Sequence, residues 1–451
     1  MAGAPLLERL DEVSRKLAGR RLYWFGIRGE DAQPLLDIPE FAGSFAITAP
    51  LRSIAIPAAQ NVALEQSVGH RVDLDRYDLD DDTSEPAIRF RRTLLRAVDE
   101  PCVLLTYRPN GFVSSLAYAS AHTLSVAGML KDRQRAFEFK PWVETSLRGK
   151  GVAMVDWTYV PDAERSRAKR LLSRLGPLVL RVSRASGGVG MVVAETDDDI
   201  DSHWPFQSDS FVAVAPYLEP TIPVNLSGCV FARGSVRLHP VSVQLIGLQS
   251  CTPLRFGYCG NDYGAARSLQ EGVIAKLEAM GHAVGRWLAE ERYLGAFGID
   301  AMVRGDDVLF TEVNARFQGS SSMSALLARQ LGAIDIYLDH LAPFLELDPG
   351  PERTLAEWMQ DQPAMAHVVV HNRSGESRSL VASLGAEAMP SGFLPVQLPE
   401  GVEVSPGGVL GRLLVSRSIT SDGFAVDRQT EQAISAVAAL YATSAMGEEV
   451  R

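Results

Sequence analysis

One stretch, residues 298–321 (GIDAMVRGDDVLFTEVNARFQGSS), constrains the chain more than any other. Two apolar runs flank a polar turn at Gly305–Asp306–Asp307, which reads as a β-hairpin. Strand side chains alternate with period two, so Asp300 and Met302 share one face, and Phe310, Glu312 and Asn314 share one face of the returning strand. A pairing in which residue numbers sum to 612 sets Asp300 opposite Glu312, with a loop at 304–308. Directly opposed side chains lie within about 5.5 Å. Two carboxylates at that separation repel unless a cation sits between them, and Asn314 adds a neutral oxygen. An all-oxygen donor set suits Mg²⁺ held partly by phosphate. An exposed hairpin with incidental acids is the competing reading, because Asp306 and Asp307 are plainly turn residues.

Composition narrows the setting. A chain of 451 residues is too long for one ordinary core and predicts two to four subdomains. Hydrophobic residues at 46% and charged residues at 22% are the balance of a soluble globular protein. No apolar run approaches the roughly 20 residues needed to span a bilayer. The opening MAGAPLLERLDEVSRKLAGRR carries acids and reads as an amphipathic helix and not a signal peptide. A cytoplasmic protein without a membrane partner is expected. Cys102, Cys229, Cys251 and Cys259 show no CxxC spacing and read as reduced thiols. A net charge of −11 argues against nucleic acid as a partner but does not exclude a nucleotide.

Along the chain, a helix at 5–18, a strand at 22–27, a helix at 90–98 and a strand at 102–107 alternate as in a parallel α/β unit over residues 1–125. GIRGED, after the first strand, is not a GxGxxG dinucleotide loop. From 126 the pattern changes: a charged helix at 130–138, a strand near 152–155, a helix at 162–175, then strand, glycine-rich turn and strand over 178–194. Next come an apolar strand at 211–218, a β-prone stretch at 222–247 and an amphipathic helix at 270–291 with Val273, Ile274, Leu277, Met280, Val284 and Leu288 on one side. Helices follow the hairpin at 322–332 and 334–346, and Pro349-Gly350-Pro351 marks a boundary. The last hundred residues mix strands at 366–371 and 409–415 with a helix at 428–443.

G-x-D, about a dozen residues, then E-x-N-x-R (Asp300; Glu312, Asn314, Arg316) resembles the metal-binding hairpin of the ATP-grasp superfamily. The resemblance implies an α/β and α+β multidomain protein with the ATP-grasp fold. Its parts would be an N-terminal parallel α/β domain (1–125), an N-subdomain carrying a phosphate lid (126–205), a C-subdomain carrying the metal hairpin (206–346) and a small C-terminal α+β domain (347–451). Asp300, Glu312 and Asn314 would hold two Mg²⁺ ions, or Mn²⁺, on the phosphates of ATP, and Arg316 would stabilise the reacting acyl phosphate. Arg181 to Gly190 (RVSRASGGVG) matches the family's phosphate-covering loop, with Ser186, Gly187, Gly188 and Gly190 near the phosphates. Where the family places lysines, this chain has Arg181 on the strand before the loop and Lys131 or Arg133 on the opening helix. Arginine keeps the charge but is not a neutral exchange at a packed site. The adenine would lie against residues 213–218, near Tyr217 and Leu218, with Glu219 or Asn225 at the ribose, and with Gln244 and Asn261 lining the cleft.

Other candidates have plainer readings. His203, His239 and His282 lack ligand spacing, and His367 and His371 bracket Val368-Val369-Val370, which is a strand. Ser186 has no evident base partner. The resemblance therefore implies an ATP-dependent carboxylate–amine ligase working through an acyl phosphate on small carboxylate and amine substrates. It is similar to amino-acid, dipeptide and peptide ligases of bacterial secondary metabolism, with a homodimer possible. Carboxylation, phosphoryl transfer or nucleotide binding without turnover are the alternatives.

Overall fold

The computed structural model describes residues 3–51, 61–72, 77–184, 187–204, 210–380, 391–395 and 403–443. The N-terminal unit is a parallel sheet ordered Asn61–Ala63, Phe41–Thr48, Arg21–Arg28, Cys102–Thr106, Leu124–Ala127. Its central strands read as near-continuous apolar runs because helices and neighbouring segments cover both faces. Leu6, Val13 and Leu17 of the helix Ala4–Leu17 pack with Leu22 and Trp24 on one side. Phe90 and Leu94 of the helix Glu85–Ala97 pack with Tyr23, Phe25 and Leu104 on the other. The strand order reverses between Arg21–Arg28 and Cys102–Thr106. Connections leave the carboxyl ends of these two strands in opposite directions, and that opens a crevice there.

The second unit is an antiparallel sheet ordered Thr158–Pro161, Phe211–Pro216, Leu178–Arg181, Met191–Ala194. Helices Arg165–Leu175 and Asp197–His203 cover it through Ala168, Leu172 and Ile200. Two sequence expectations change here. The strand expected near 152–155 is a single bridge, Met154 to Phe310, and the edge strand is Thr158–Pro161. The strand Phe211–Pro216, assigned by sequence to the 206–346 segment, pairs on both sides within this sheet. Val212 and Val214 are buried only there.

The third unit is an antiparallel sheet ordered Asp307–Asn314, Gly295–Arg304, Ile222–Val230, Ser242–Ile246, Tyr258–Asp262, Ala366–His371, Val409–Val415, Phe393–Pro395, with Val236–Leu238 added beside Ile222–Val230. The helix Glu271–Glu290 buries all six residues of its expected stripe against one face. Gly281 and Gly285 allow that approach, since a Cβ at either would meet Leu238 and Leu226 or Val236. Residues 347–451 do not stand apart as expected. Ala366–His371 pairs with Tyr258–Asp262 (Asn261 with His367), so the C-terminal strands extend the sheet that carries the hairpin. A small sheet also joins His70–Arg71 to Glu403–Val404. Among the described residues no helix is long and apolar enough to cross a membrane, and all four cysteines are buried and free.

Candidate active site

The hairpin has the expected register at its functional end: Asp300 lies opposite Glu312 and Gly298 opposite Asn314. The loop is tighter than the sequence suggested, because Arg304 still pairs with Asp307 and Gly305 turns the chain with φ of 59°. A β-bulge between the Asp300 and Ala301 pairings leaves Thr311 unmatched. The bulge moves Phe310 opposite Ala301 and into the core, so Phe310 does not share a face with Glu312 and Asn314 as expected. An extra residue next to a functional pair re-aims its side chains and is a common device beside sites.

Asp300 is held from three sides. Its Oδ1 accepts from Asn225 Nδ2 at 2.7 Å and Gln244 Nε2 at 2.9 Å, and its Oδ2 accepts from Asn314 Nδ2 at 3.2 Å. Gln318 reaches the group because Gly298 has no side chain; a Cβ there would fall inside the Gln318 amide. Gln318 Oε1 in turn accepts from Asn225 at 3.0 Å and Ser227 at 3.3 Å. Burial, followed by the charge of Glu312, pushes the Asp300 carboxyl up to about 6, against smaller lowering by Asn225, Arg316 and Asn314. Asn225, expected at a ribose, is therefore a support for Asp300, its register partner on the next strand.

Across the cleft, Lys140 opens the helix Lys140–Gly149, which sequence reasoning misses. Its Nζ lies 3.1 Å from Glu312 Oε1, and its side chain is 11% exposed. Lys140 lines a cleft of about 40 Å³ with Arg181, Val182, Gly187, Gly188, Val189, Met191 and Glu312. The glycine-rich turn and Glu312 of the hairpin thus line one cleft. Gly187, Gly188 and Gly190 have φ of 63°, 80° and 71°, the left-handed region that favours glycine. Gly188 also presses on the Phe256 carbonyl, where a Cβ would not fit. Ser186 lies outside the described residues.

Arg181 lines the same cleft, but Glu144 already pairs with it and the Trp157 ring lies 3.7 Å below its guanidinium carbon. Tyr159 donates to the other oxygen of Glu144 at 2.6 Å. Lys131 and Arg133 are not in the cleft. Asp80 and Asp78 of the N-terminal unit take Lys131, and Arg133 donates to the Glu291 carbonyl at 3.1 Å. Lys140, nine residues beyond Lys131, stands where a lysine was sought. Tyr217 donates to Glu219 and stacks under Arg255 at 5.0 Å, and neither these residues nor Leu218 line the cleft of Lys140 and Glu312. Asn261 is fully buried, accepting from Tyr258 and donating to Ser242 at 2.9 Å, in register with Gln244. It supports the row that holds Asp300 and does not reach the cleft itself.

Arg316 follows the hairpin and reaches the N-terminal unit. Its Nη1 donates to the Phe317 carbonyl at 3.0 Å and to Tyr107 Oη at 3.3 Å, and its guanidinium carbon is 5.8 Å from the Tyr107 ring centroid. Among the described residues no group of three or more His, Cys, Asp or Glu side chains could enclose a metal. Two carboxylates and an amide are instead the sparse oxygen set of a Mg²⁺ that keeps water or phosphate ligands. The amide of Asn314, turned by half a rotation, presents its oxygen to the same point.

No protein-family model matches the sequence, and the search of curated proteins found no similar sequence. Solved structures do match, over nearly the whole chain. One is the biotin carboxylase domain of Hydrogenobacter thermophilus 2-oxoglutarate carboxylase with MgADP, ADP and bicarbonate, at TM-score 0.59 and 14% identity over 88% of this chain and 86% of that one. Another is the Aspergillus clavatus N5-carboxyaminoimidazole synthase with ADP and 5-aminoimidazole ribonucleotide, at TM-score 0.58 and 12% identity over 93% and 99%. A third is the Thermotoga maritima phosphoribosylamine–glycine ligase, at TM-score 0.58 and 12% identity over 94% and 97%. The chain has the ATP-grasp fold, with its parallel N-terminal unit and antiparallel sheets in the arrangement these structures share.

Proposed function

We propose that this protein is an ATP-dependent ligase that joins a carboxylate to an amine through an acyl phosphate. The observation that carries the reading is the Asp300–Glu312 pair, opposed across the hairpin, with Glu312 lining a cleft that Lys140, Arg181 and the Gly187–Gly188 turn also line. Asp300, Glu312 and Asn314 would hold one or two Mg²⁺ ions, with Mn²⁺ a substitute. When bound, the metal neutralises phosphate charge and orients the γ-phosphate of ATP. Lys140 and the backbone N–H groups of the glycine turn bind phosphate oxygens. Arg316 stabilises charge on the carboxyl carbon's oxygens as they react. A carboxylate oxygen of the acid bonds to the γ-phosphorus, and the bond from that phosphorus to the β,γ-bridging oxygen breaks, releasing ADP. The amine nitrogen then bonds to the carbonyl carbon, phosphate leaves, and the amine proton passes to solvent.

The amine, the acid and their use in an amino-acid or peptide ligase of secondary metabolism are part of this proposal, as are a cytoplasmic setting and a homodimer. The test is phosphate release from ATP that depends on an added acid, with hydroxylamine trapping an acyl hydroxamate. Glu312→Ala should abolish both while leaving the circular dichroism spectrum unchanged; surviving turnover would remove the metal assignment. A second reading takes bicarbonate as the acid, the anion bound in the Hydrogenobacter thermophilus biotin carboxylase domain. It requires turnover that stops when bicarbonate is stripped from the buffer.

A further inference from the structure

Away from the phosphate cleft, four charged side chains are buried together. Arg28 ends the strand Arg21–Arg28, and Glu30 and Asp31 follow it in the short turn Gly29–Leu35. Arg412 comes from the far strand Val409–Val415. Glu30, Asp31 and Arg412 are 3%, 1% and 8% exposed. Two pairings link the four: Arg28 Nε to Asp31 Oδ2 at 2.9 Å, and Arg412 Nη2 to Glu30 Oε1 at 3.6 Å. These pairings leave Arg28 Nη2, Glu30 Oε2 and Asp31 Oδ1 buried without hydrogen-bond partners among the described residues, and His367 Nδ1 is in the same condition. One orphaned polar atom in a core is ordinary, but each costs stability. Three on adjacent charged side chains set this cluster apart from an ordinary buried ion pair.

The location points the same way. Arg28 and Tyr107 stand at the carboxyl ends of the two strands between which the sheet order reverses. Ligands of open α/β sheets bind in that crevice. The guanidinium carbon of Arg28 is 5.3 Å from the Tyr107 ring centroid, and that of Arg316 is 5.8 Å from the same centroid. One phenol ring therefore links the cluster to Arg316, which follows the Asp300–Glu312 hairpin. Arg412 and Tyr258 come from the large sheet, where Tyr258 Oη lies 3.2 Å from His367 Nε2.

We propose that the charged cluster of Arg28, Glu30, Asp31 and Arg412 recognises the α-ammonium and α-carboxylate of an amino acid. The vacant hydrogen-bonding capacity matches that molecule: two carboxylate oxygens accept from an ammonium, and one guanidinium nitrogen donates to a carboxylate. An ammonium held by two carboxylates keeps its proton and is not a nucleophile. The amino acid is thus the acid of the reaction, its carboxylate directed towards Arg316. This assignment rests on the ligase reading for its chemical consequence, though not for the binding itself.

The experiment uses the full chain with L-amino acids, their N-acetyl derivatives and their des-amino counterparts. Binding is read by calorimetry, and turnover by ATP-dependent hydroxamate formation. Free amino acids should bind and react, while N-acetyl and des-amino acids fall by ~10–100-fold, the worth of lost hydrogen bonds to charged groups. Glu30→Gln should raise the KM for the amino acid by a similar factor and leave the KM for ATP within about twofold. Because the ligand series uses unaltered protein, it decides the question even if the variant folds poorly. Des-amino acids that react as well as amino acids overturn the assignment of the cluster and leave the ligase reading standing. Amino-acid binding without ATP consumption does the reverse. Absence of amino-acid binding overturns the assignment outright.

Discussion

Replacing Asp300 with asparagine should stabilise the metal-free protein at pH 8 while removing its Mg²⁺ site. Asp300 is pushed from the ordinary 3.8 to about 6, first by burial and second by Glu312 across the hairpin. A carboxyl group with a raised folded-state pKa holds its proton longer in the folded chain than in the unfolded one. Its effect on stability is neutral below about pH 4, grows unfavourable as the pH rises, and is complete above about pH 6. The displacement corresponds to ~3 kcal/mol as an upper figure. For a cooperative unit of 150–250 residues this amounts to roughly 6–12 °C in Tm. The substituted amide keeps an oxygen for Asn225 and Gln244, and the Asn314 amide can rotate to accept from the new NH₂.

The assay is thermal unfolding of both proteins from pH 4.5 to 8, with EDTA and with saturating Mg²⁺. With EDTA, the Tm difference favouring Asp300→Asn should open between pH 4.5 and 6.5 and then level off. Mg²⁺ should raise the Tm of the parent at pH 8, by the mass-action gain of a ligand that binds only the folded state, and leave the variant unmoved. A variant no more stable than the parent at pH 8, or a difference that ignores pH, would refute the account of Asp300 as a buried charge awaiting a cation.

Two further substitutions test the cleft. Lys140→Ala should lower kcat/KM for ATP by ~10–100-fold, the loss of a charge-assisted contact, whereas Lys131→Ala should change it by less than about twofold; equal effects would return the phosphate role to Lys131. Gly188→Ala should impair turnover without unfolding the chain, because φ is 80° and the Cβ would meet the Phe256 carbonyl. Gly176→Ala has a similar φ of 79° and open space around it, so it carries a backbone cost of ~1–3 kcal/mol without the clash. Matching activity losses in the two would show that the fit of the loop against Phe256 does not matter.

The hairpin is legible in the sequence because it obeys a local rule: period-two alternation and a short turn set Asp300 against Glu312 before any contact is known. Thr311 shows the limit of that rule, since nothing in TEVN marks a bulge and only packing of Phe310 into the core demands one. Lys140 escapes sequence reasoning for a related reason. Lys131 looks right by order along the chain, but Asp78 and Asp80, some fifty residues earlier, capture it, and Phe139-Lys140-Pro141 hides the start of a new helix. Residues 347–451 look like a separate domain because the pairing of His367 with Asn261 spans more than a hundred residues. No local signal encodes such a pairing. GIRGED reads in sequence only as a dinucleotide loop that fails its pattern, and the meaning of its charges lies in Arg412 from the other end of the chain.

These separate features share one origin in the large sheet. Its face towards the helix Glu271–Glu290 is apolar, with Val224, Leu226, Ile299 and Ala301 in the core. Its other face presents Glu312, Asp300 and Asn225 in one register row and Gln244, Asn261 and His367 in a second; Arg412, on the next strand, pairs with Val369, two residues beyond His367. A buried polar row of this kind costs stability that an apolar row would not, because each charge gives up water. What it supplies is position: strand spacing and register set where the Asp300–Glu312 pair stands relative to the Arg28–Arg412 cluster, with Arg316 at the junction. A site built on paired strands holds its groups more tightly than one built on loops, and preorganised charge is what stabilises a reacting carboxylate. The cleft between the loop at 187–190 and Glu312 holds about 40 Å³, far below the ~300–1,000 Å³ typical of small-molecule sites. A nucleotide bound there, as proposed, would need the loop to lift and the Gly188–Phe256 contact to part, while the sheet that bears the acids stays in place.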